Sequence, residues 1–279
     1  MGAIITLTTD LGLTDAYVAA MKGVILGINP EAKLVDICHS IKPQNITQAA
    51  FVLSTAYKFF PQKTIHVVVV DPGVGTKRRA IILRTPSADF VAPDNGVLSY
   101  VVQESSAKGV AGNVNLQQLE PKLEAVAITK AEYWRSSVSP TFHGRDIFAP
   151  VAARLSLGFP PIDFGEVITS VTMLPLLRPY QAQDGSLVGH ILHIDSFGNL
   201  ITNIKRQDLP EAKPAITIKV GSQLISGLSR TYAEGEELLA LIGSGGYLEI
   251  AVKGGNASAI LDAEVGNEIR IRQQPGGNQ

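Results

Sequence analysis

Between residues 3 and 70 short apolar runs alternate with helix-length amphipathic segments, and that alternation restricts the chain to few architectures. The runs "AIITLTT", "AKLVDIC" and "TIHVVVV" are separated by Asp15 to Ile28 and Asn45 to Phe60. In the second of these segments Ile46, Ala50, Leu53, Tyr57 and Phe60 recur about every 3.6 residues, which gives one apolar face, and Pro61 ends it. The short runs are apolar at almost every position, as strands covered on both faces are. The combination predicts an α/β domain with a mostly parallel sheet and helices on both faces. Near Gly185 the texture changes to short runs punctuated by glycine, such as "SLVGHILHID", "LITNIK", "LLALIG", "YLEIAVKG" and "EIRIRQ". Closely spaced strands without a helical period predict a smaller antiparallel β-barrel. The expected division is an N-terminal α/β domain over 1–172, a linker over 173–186 with Pro175 and Pro179, and a C-terminal barrel over 187–279.

Charge and cysteine content remove several classes of function. Lys and Arg number 24 against 25 Asp and Glu, a net charge of −1, so nothing draws the chain toward nucleic acid or an anionic membrane. No apolar run approaches the length of a membrane span, and no basic stretch precedes a secretory apolar one, so neither membrane insertion nor export is expected. Cys38 is the single cysteine, which excludes an internal disulfide framework and fits a reducing cytoplasm. His39, His66, His190 and His193 fall within or beside strand-like runs without metal-ligand spacing and are expected to be structural. Neither a complete phosphate-binding loop nor a G-x-G-x-x-G fingerprint occurs, which leaves the glycines after Asp71 a weak signal by themselves, and no metal and no cofactor is expected.

Open α/β sheets bind ligands beyond the carboxyl ends of their strands. Four stretches lie there or in nearby loops. "TTDLG" presents Asp10, "VDPGVGTKRR" presents Asp71 with Lys77, Arg78 and Arg79, "FVAPDNGVLS" carries Asp94 and Asn95, and "TFHGRDIFAP" holds His143, Arg145 and Asp146 ahead of a helix expected over 146–157. In the second domain "HIDSFGNLITN" sets Asp195, Asn199 and Asn203 around a turn. Each has a plain alternative. Asp10 can cap a helix or start a turn, "DPGVG" can simply join two strands, and Asp146 can favour the positive end of a helix. Tyr17, Tyr133 and Trp134 are expected to pack, because the cations are not interleaved with them.

Taken in order, these loops together with "GSGGYLEIAVKGGNAS" resemble the S-adenosyl-L-methionine hydroxide adenosyltransferase family, relatives of enzymes that make carbon–halogen bonds from the same substrate. The resemblance covers essentially the whole chain. It implies an α/β domain joined to a β-barrel, a homotrimer with sites between subunits, and hydrolysis of S-adenosylmethionine to adenosine and methionine. Its Asp, Arg and His set falls on Asp71, Arg78 and His143, with either Asp71 or His143 as proton acceptor. Asp10 matches the aspartate that accepts from both ribose hydroxyls. Asp195 matches a residue near the methionine ammonium, Asn199 one that reads the adenine edge, and Ser244 one near the amino-acid portion. Asp94 and Asn95 form a possible additional site loop.

The glycines after Asp71 are expected to let backbone approach the substrate, while Lys77 and Arg79 are left as solvated or structural charges. The halogenating relatives carry tyrosine at Asp71, threonine at Val74, tyrosine and serine at His143 and Gly144, and arginine at Gly245. A carboxylate at position 71 disfavours a halide nucleophile. Halide transfer and a non-catalytic S-adenosylmethionine sensor are the two other readings the residues leave open.

Overall fold

A computed structural model describes residues 2–106, 116–210, 216–234 and 237–273. It contains two compact units, Met1–Leu176 and Leu177–Gln279. The last residues of the expected barrel domain, 274–279, lie outside the described residues.

The first unit is built on β1 (Ile4–Thr9), β2 (Lys33–Cys38), β3 (Thr64–Val69), β4 (Ala80–Arg84), β5 (Ala88–Pro93), β6 (Leu116–Gln118), β7 (Glu124–Ile128), β8 (Gly165–Ile168) and β9 (Ser170–Thr172). Seven of these form one sheet in the order β2-β1-β3-β5-β4-β7-β8, while β6 pairs with β9. Strands β1, β2, β3, β5 and β7 point one way, and β4 and β8 run against them. The reversal at β4 follows from chain length. Only residues 85–87 join β4 to β5, too few for the crossover that a parallel pair needs. Thr85 N–H donates to the Ala88 carbonyl at 2.9 Å and closes that hairpin.

Strand β3 is buried at every position, and the two-residue period of a strand sends its side chains to two different cores. Val67 and Val69 join Met21, Ile25 and Phe148 on one face, while Val68 and Val70 join Leu53, Phe90 and Val101 on the other. Each fully buried valine contributes roughly 1.5–3 kcal/mol, so the middle of the sheet is a stiff base for whatever follows its strands. The helices that cover it are α1 (Tyr17–Ile28), α2 (Ile46–Ala56), α3 (Ser99–Glu104) and α4 (Ala149–Ser156).

Two sequence expectations need correction here. "AKLVDIC" is not covered on both faces: β2 is the edge strand, and Lys33, Val35 and Asp36 are exposed. The helix expected from Asp146 begins as a π-turn, Gly144–Phe148, and becomes α-helical only at Ala149, with Pro150 in its first turn where no N–H is missed. His66 is structural as expected. It is fully buried, hydrogen-bonded to Thr6 Oγ1 at 2.7 Å and stacked on Phe90, and burial pushes its pKa down to about 4.

The second unit contains β10 (Tyr180–Gln181), β11 (Leu187–Ile194), β12 (Leu200–Lys205), β13 (Ile216–Val220), β14 (Gln223–Ser226), β15 (Leu238–Ile242), β16 (Tyr247–Val252), the short helix α5 (Ala257–Leu261) and β17 (Glu268–Gln273). Its strands pair antiparallel in the order β14-β13-β17-β11-β12-β16-β15. The end strands β14 and β15 approach each other, so the sheet nearly closes. Ile191, Leu200, Ile218, Leu248, Ile250 and Ile269 fill its interior. Strand β10 pairs with β11 inside the stretch expected as a linker.

Candidate active site

The order β2-β1-β3-β5 sets four parallel strands side by side, so the loops after β1, β3 and β5 open at one edge of the sheet. Asp10 follows β1, Asp71 follows β3, and Asp94 and Asn95 follow β5.

Two consecutive turns fold the chain after β3 back on itself. Val74 N–H donates to the Asp71 carbonyl and Thr76 N–H to the Gly73 carbonyl, each at 3.1 Å. That return brings Arg78 onto Asp71. Arg78 Nε donates to Asp71 Oδ1 at 2.9 Å and Nη2 donates to Oδ2, the bidentate fork that a guanidinium and a carboxylate form best. Their side chains are only 11% and 5% exposed, so the pair is largely withdrawn from water. Phe148 lies under the guanidinium, 5.4 Å from ring centre to Cζ. Gly75 has φ +76°, and a Cβ there would stand 2.4 Å from the Pro140 carbonyl oxygen. Gly75 is therefore required by the close approach of the neighbouring loop.

His143 comes from that neighbouring loop. Arg78 Nη2 lies 2.8 Å from His143 Nδ1. A guanidinium only donates, so Nδ1 accepts and the imidazole proton sits on Nε2. Burial lowers the His143 pKa, the adjacent Arg78 charge lowers it further, and Asp71 and Asp146 partly oppose them. The ring is neutral at pH 7. Asp146, fully buried, holds the loop in place: it accepts from Ser139 N–H at 2.9 Å and from Arg145 Nε at 2.7 Å, with Arg135 Nε at 3.2 Å. At the start of the π-turn, a Cβ on Gly144 would come within 3.2 Å of both Met21 Sδ and Val69 Cγ1. The small residue at 144 thus allows the turn to seat on α1 and the end of β3.

Asp10 is held on one side only. Its Oδ2 accepts from Gln44 N–H at 2.7 Å, and among the described residues Oδ1 has no partner. The same edge is laced further by Thr9 Oγ1 to His39 Nδ1 at 2.8 Å and Gly12 N–H to the His39 carbonyl at 2.9 Å. Asp94 and Asn95 have their polar groups committed. Asp94 accepts from Arg79 Nε at 2.8 Å and from Thr172 N–H at 2.7 Å, and Asn95 Nδ2 donates to the Val70 carbonyl at 2.9 Å. Asn95 therefore pins the residue just before Asp71. Arg79 is a structural charge and Lys77 is exposed.

In the barrel, Asp195 closes the β11–β12 turn. Its Oδ1 accepts from Phe197 and Asn199 N–H, both at 2.9 Å, and its Oδ2 accepts from Asn199 Nδ2 at 3.0 Å. Asn199 is nearly buried, and Ser244 is exposed in the turn between β15 and β16. The structure thus assembles Asp71, Arg78 and His143 into one contact set, joins Asp195 to Asn199, and places Asp10 on the same sheet edge as Asp71. Sequence reasoning missed Asn95 as a support for Asp71, because its contact spans 25 residues, and missed Glu249. The signal for Glu249 was present: it is the one acid within the otherwise apolar "YLEIAV".

The SAM hydroxide adenosyltransferase N-terminal domain model matches residues 5–165 and the C-terminal domain model residues 189–270. The chain is 36% identical to the (R)-S-adenosyl-L-methionine hydrolase of Salinispora tropica, with 96% of this chain and 97% of that protein covered. It is 28% identical to the fluorinase of Nocardia brasiliensis over 96% of each chain. A crystal structure of an uncharacterized conserved protein from Thermotoga maritima superposes with a TM-score of 0.85 at 37% identity, covering 96% of this chain and all of that one.

Proposed function

Because the chain belongs to the SAM hydroxide adenosyltransferase family, we propose that it hydrolyses S-adenosyl-L-methionine to adenosine and L-methionine. The observation that carries this reading is the Asp71, Arg78 and His143 contact set at the carboxyl edge of the sheet. Water attacks the ribose 5′ carbon as the C5′–S bond breaks, and the bonding pair leaves on sulfur as the neutral thioether of methionine. No acid is needed for that leaving group.

One proton must leave the attacking water. His143 is poorly placed to take it, since Arg78 occupies the Nδ1 lone pair and Nε2 already carries a hydrogen. Asp71 takes it instead: each of its oxygens accepts one N–H from Arg78 and keeps further acceptor capacity. A carboxylate is by nature a weak base. A weak base suffices, because water bonded to carbon at the transition state becomes a strongly acidic oxonium. Position, more than basicity, sets the rate. Arg78 also compensates the Asp71 charge, so what faces the nucleophile is a pair of lone pairs. Those accept an O–H and offer nothing to a halide.

Asp10 holds the ribose hydroxyls, with Asp195, Asn199 and Ser244 on the adenine and amino-acid portions. The assembly is a homotrimer that completes each site between subunits, and the protein works in the cytoplasm, a reading supported by its single unpaired Cys38. Incubation with S-adenosylmethionine and excess chloride tests the reaction class. Adenosine and methionine in equal amounts are expected, whereas a halogenated nucleoside, or bound but unchanged substrate, contradicts hydrolysis.

The neutral state of His143 has a pH consequence. Its pKa in the folded protein is below the ordinary value near 6.5. Turnover therefore stays on its plateau above about pH 6.5 and falls as pH drops through the depressed pKa, when a protonated ring repels Arg78. A kcat that rises on acidification from pH 7 contradicts the assignment.

A further inference from the structure

Glu249 lies on β16 in a row that crosses three strands, Leu241–Glu249–Ile201. Ile201 is two residues past Asn199, so Asn199 and Glu249 share one face as diagonal neighbours. Asp195 is bonded to Asn199 on that same side. Leu239, Leu241 and Ala251 surround the row with apolar surface, and Glu249 is only 8% exposed. A buried carboxylate is costly unless it is compensated. Glu249 Oε2 accepts from Tyr232 Oη at 2.9 Å, and Gly243 at the start of the Ser244 turn has no room for a Cβ, which would stand 1.7 Å from Oε1. Burial and the nearby Asp195 both push the Glu249 pKa up.

Two acids are thus gathered on one face, and their partners among the described residues are a phenol, an amide and backbone N–H groups, none of them a cation. We infer that Glu249 is a second recognition residue for the substrate's ammonium group, working beside Asp195, with Tyr232 as the residue that positions it. The inference rests on S-adenosylmethionine as the substrate. A ligand that brings a positive charge to this face relieves the repulsion between the two carboxylates, and its amino group can donate to both. Recognition of the amino-acid end then depends on Glu249, while the chemistry at the 5′ carbon does not.

The test compares two sulfoniums: S-adenosylmethionine, and a dimethylsulfonium analogue of the same nucleoside that lacks the amino-acid portion. With Glu249→Gln, KM and the calorimetric dissociation constant for S-adenosylmethionine should rise about 10- to 100-fold, the loss of one charge-assisted contact, with kcat little changed. The kcat/KM for the dimethyl analogue should not move. Tyr232→Phe, which keeps the ring, should show the same pattern more weakly and serves if Glu249→Gln melts early. Equal losses on both substrates, or an unchanged KM in a folded Glu249→Gln protein, overturn the inference. If the wild type binds S-adenosylmethionine without turning it over, hydrolysis fails, and the dissociation constants still decide the role of Glu249.

Discussion

Asp71→Asn should lower turnover of S-adenosylmethionine by about 10²–10⁴-fold, the usual contribution of a positioned base, while leaving substrate affinity nearly unchanged. The substitution preserves shape and replaces one oxygen by an NH₂. That group cannot accept the proton of the attacking water, and it faces Arg78, which has only donors to offer. Affinity survives because Asp10, Asp195 and Asn199 are untouched. The two quantities separate cleanly in single-turnover kinetics alongside equilibrium titration. Near wild-type turnover in the Asn variant would remove Asp71 from the chemistry.

Arg78→Met should be damaging in two ways at once. The guanidinium satisfies both oxygens of a carboxylate that is 5% exposed and also the Nδ1 of His143. Removing one partner of such a buried pair leaves an uncompensated charge and costs about 3–5 kcal/mol of stability. Activity should fall by about 10²-fold or more, because the group that aims Asp71 and fixes the His143 tautomer is gone. Denaturant unfolding and steady-state kinetics report the two effects separately. Arg78→Lys should keep part of the stability and little of the activity, since a single ammonium cannot replace the fork. A fully active, equally stable Met variant would mean that the Asp71–Arg78 contact is incidental.

Much of this site is legible in the linear chain, and the limits have physical causes. Asp71 and Arg78 are seven residues apart across a tight loop, so local turn chemistry brings them together. His143 reaches them only because α4 packs on α1 and β3 and carries the π-turn with it, a tertiary event with no local marker. The π-turn itself reads as an ordinary helix start, because residue pattern does not distinguish the two until Gly144 is seen pressed against Met21 and Val69. The exposed face of β2 could not be anticipated from "AKLVDIC", since its place at the sheet edge depends on the order of strands far along the chain. Arg79 shows the same limit. Its sequence neighbour Arg78 is bonded to Asp71, yet Arg79 is paired with Asp94, 15 residues on. Adjacent residues in extended chain face opposite ways, so a run of three cations was bound to be divided among different tasks.

The most direct measurement is the position of a heavy oxygen after turnover in ¹⁸O-labelled water. Attack of water on the ribose 5′ carbon places the label in the 5′ hydroxyl of adenosine and leaves methionine unlabelled. Unlabelled adenosine, or methylthioadenosine with the label in the amino-acid product, would contradict in-line displacement at that carbon and with it the role given to Asp71.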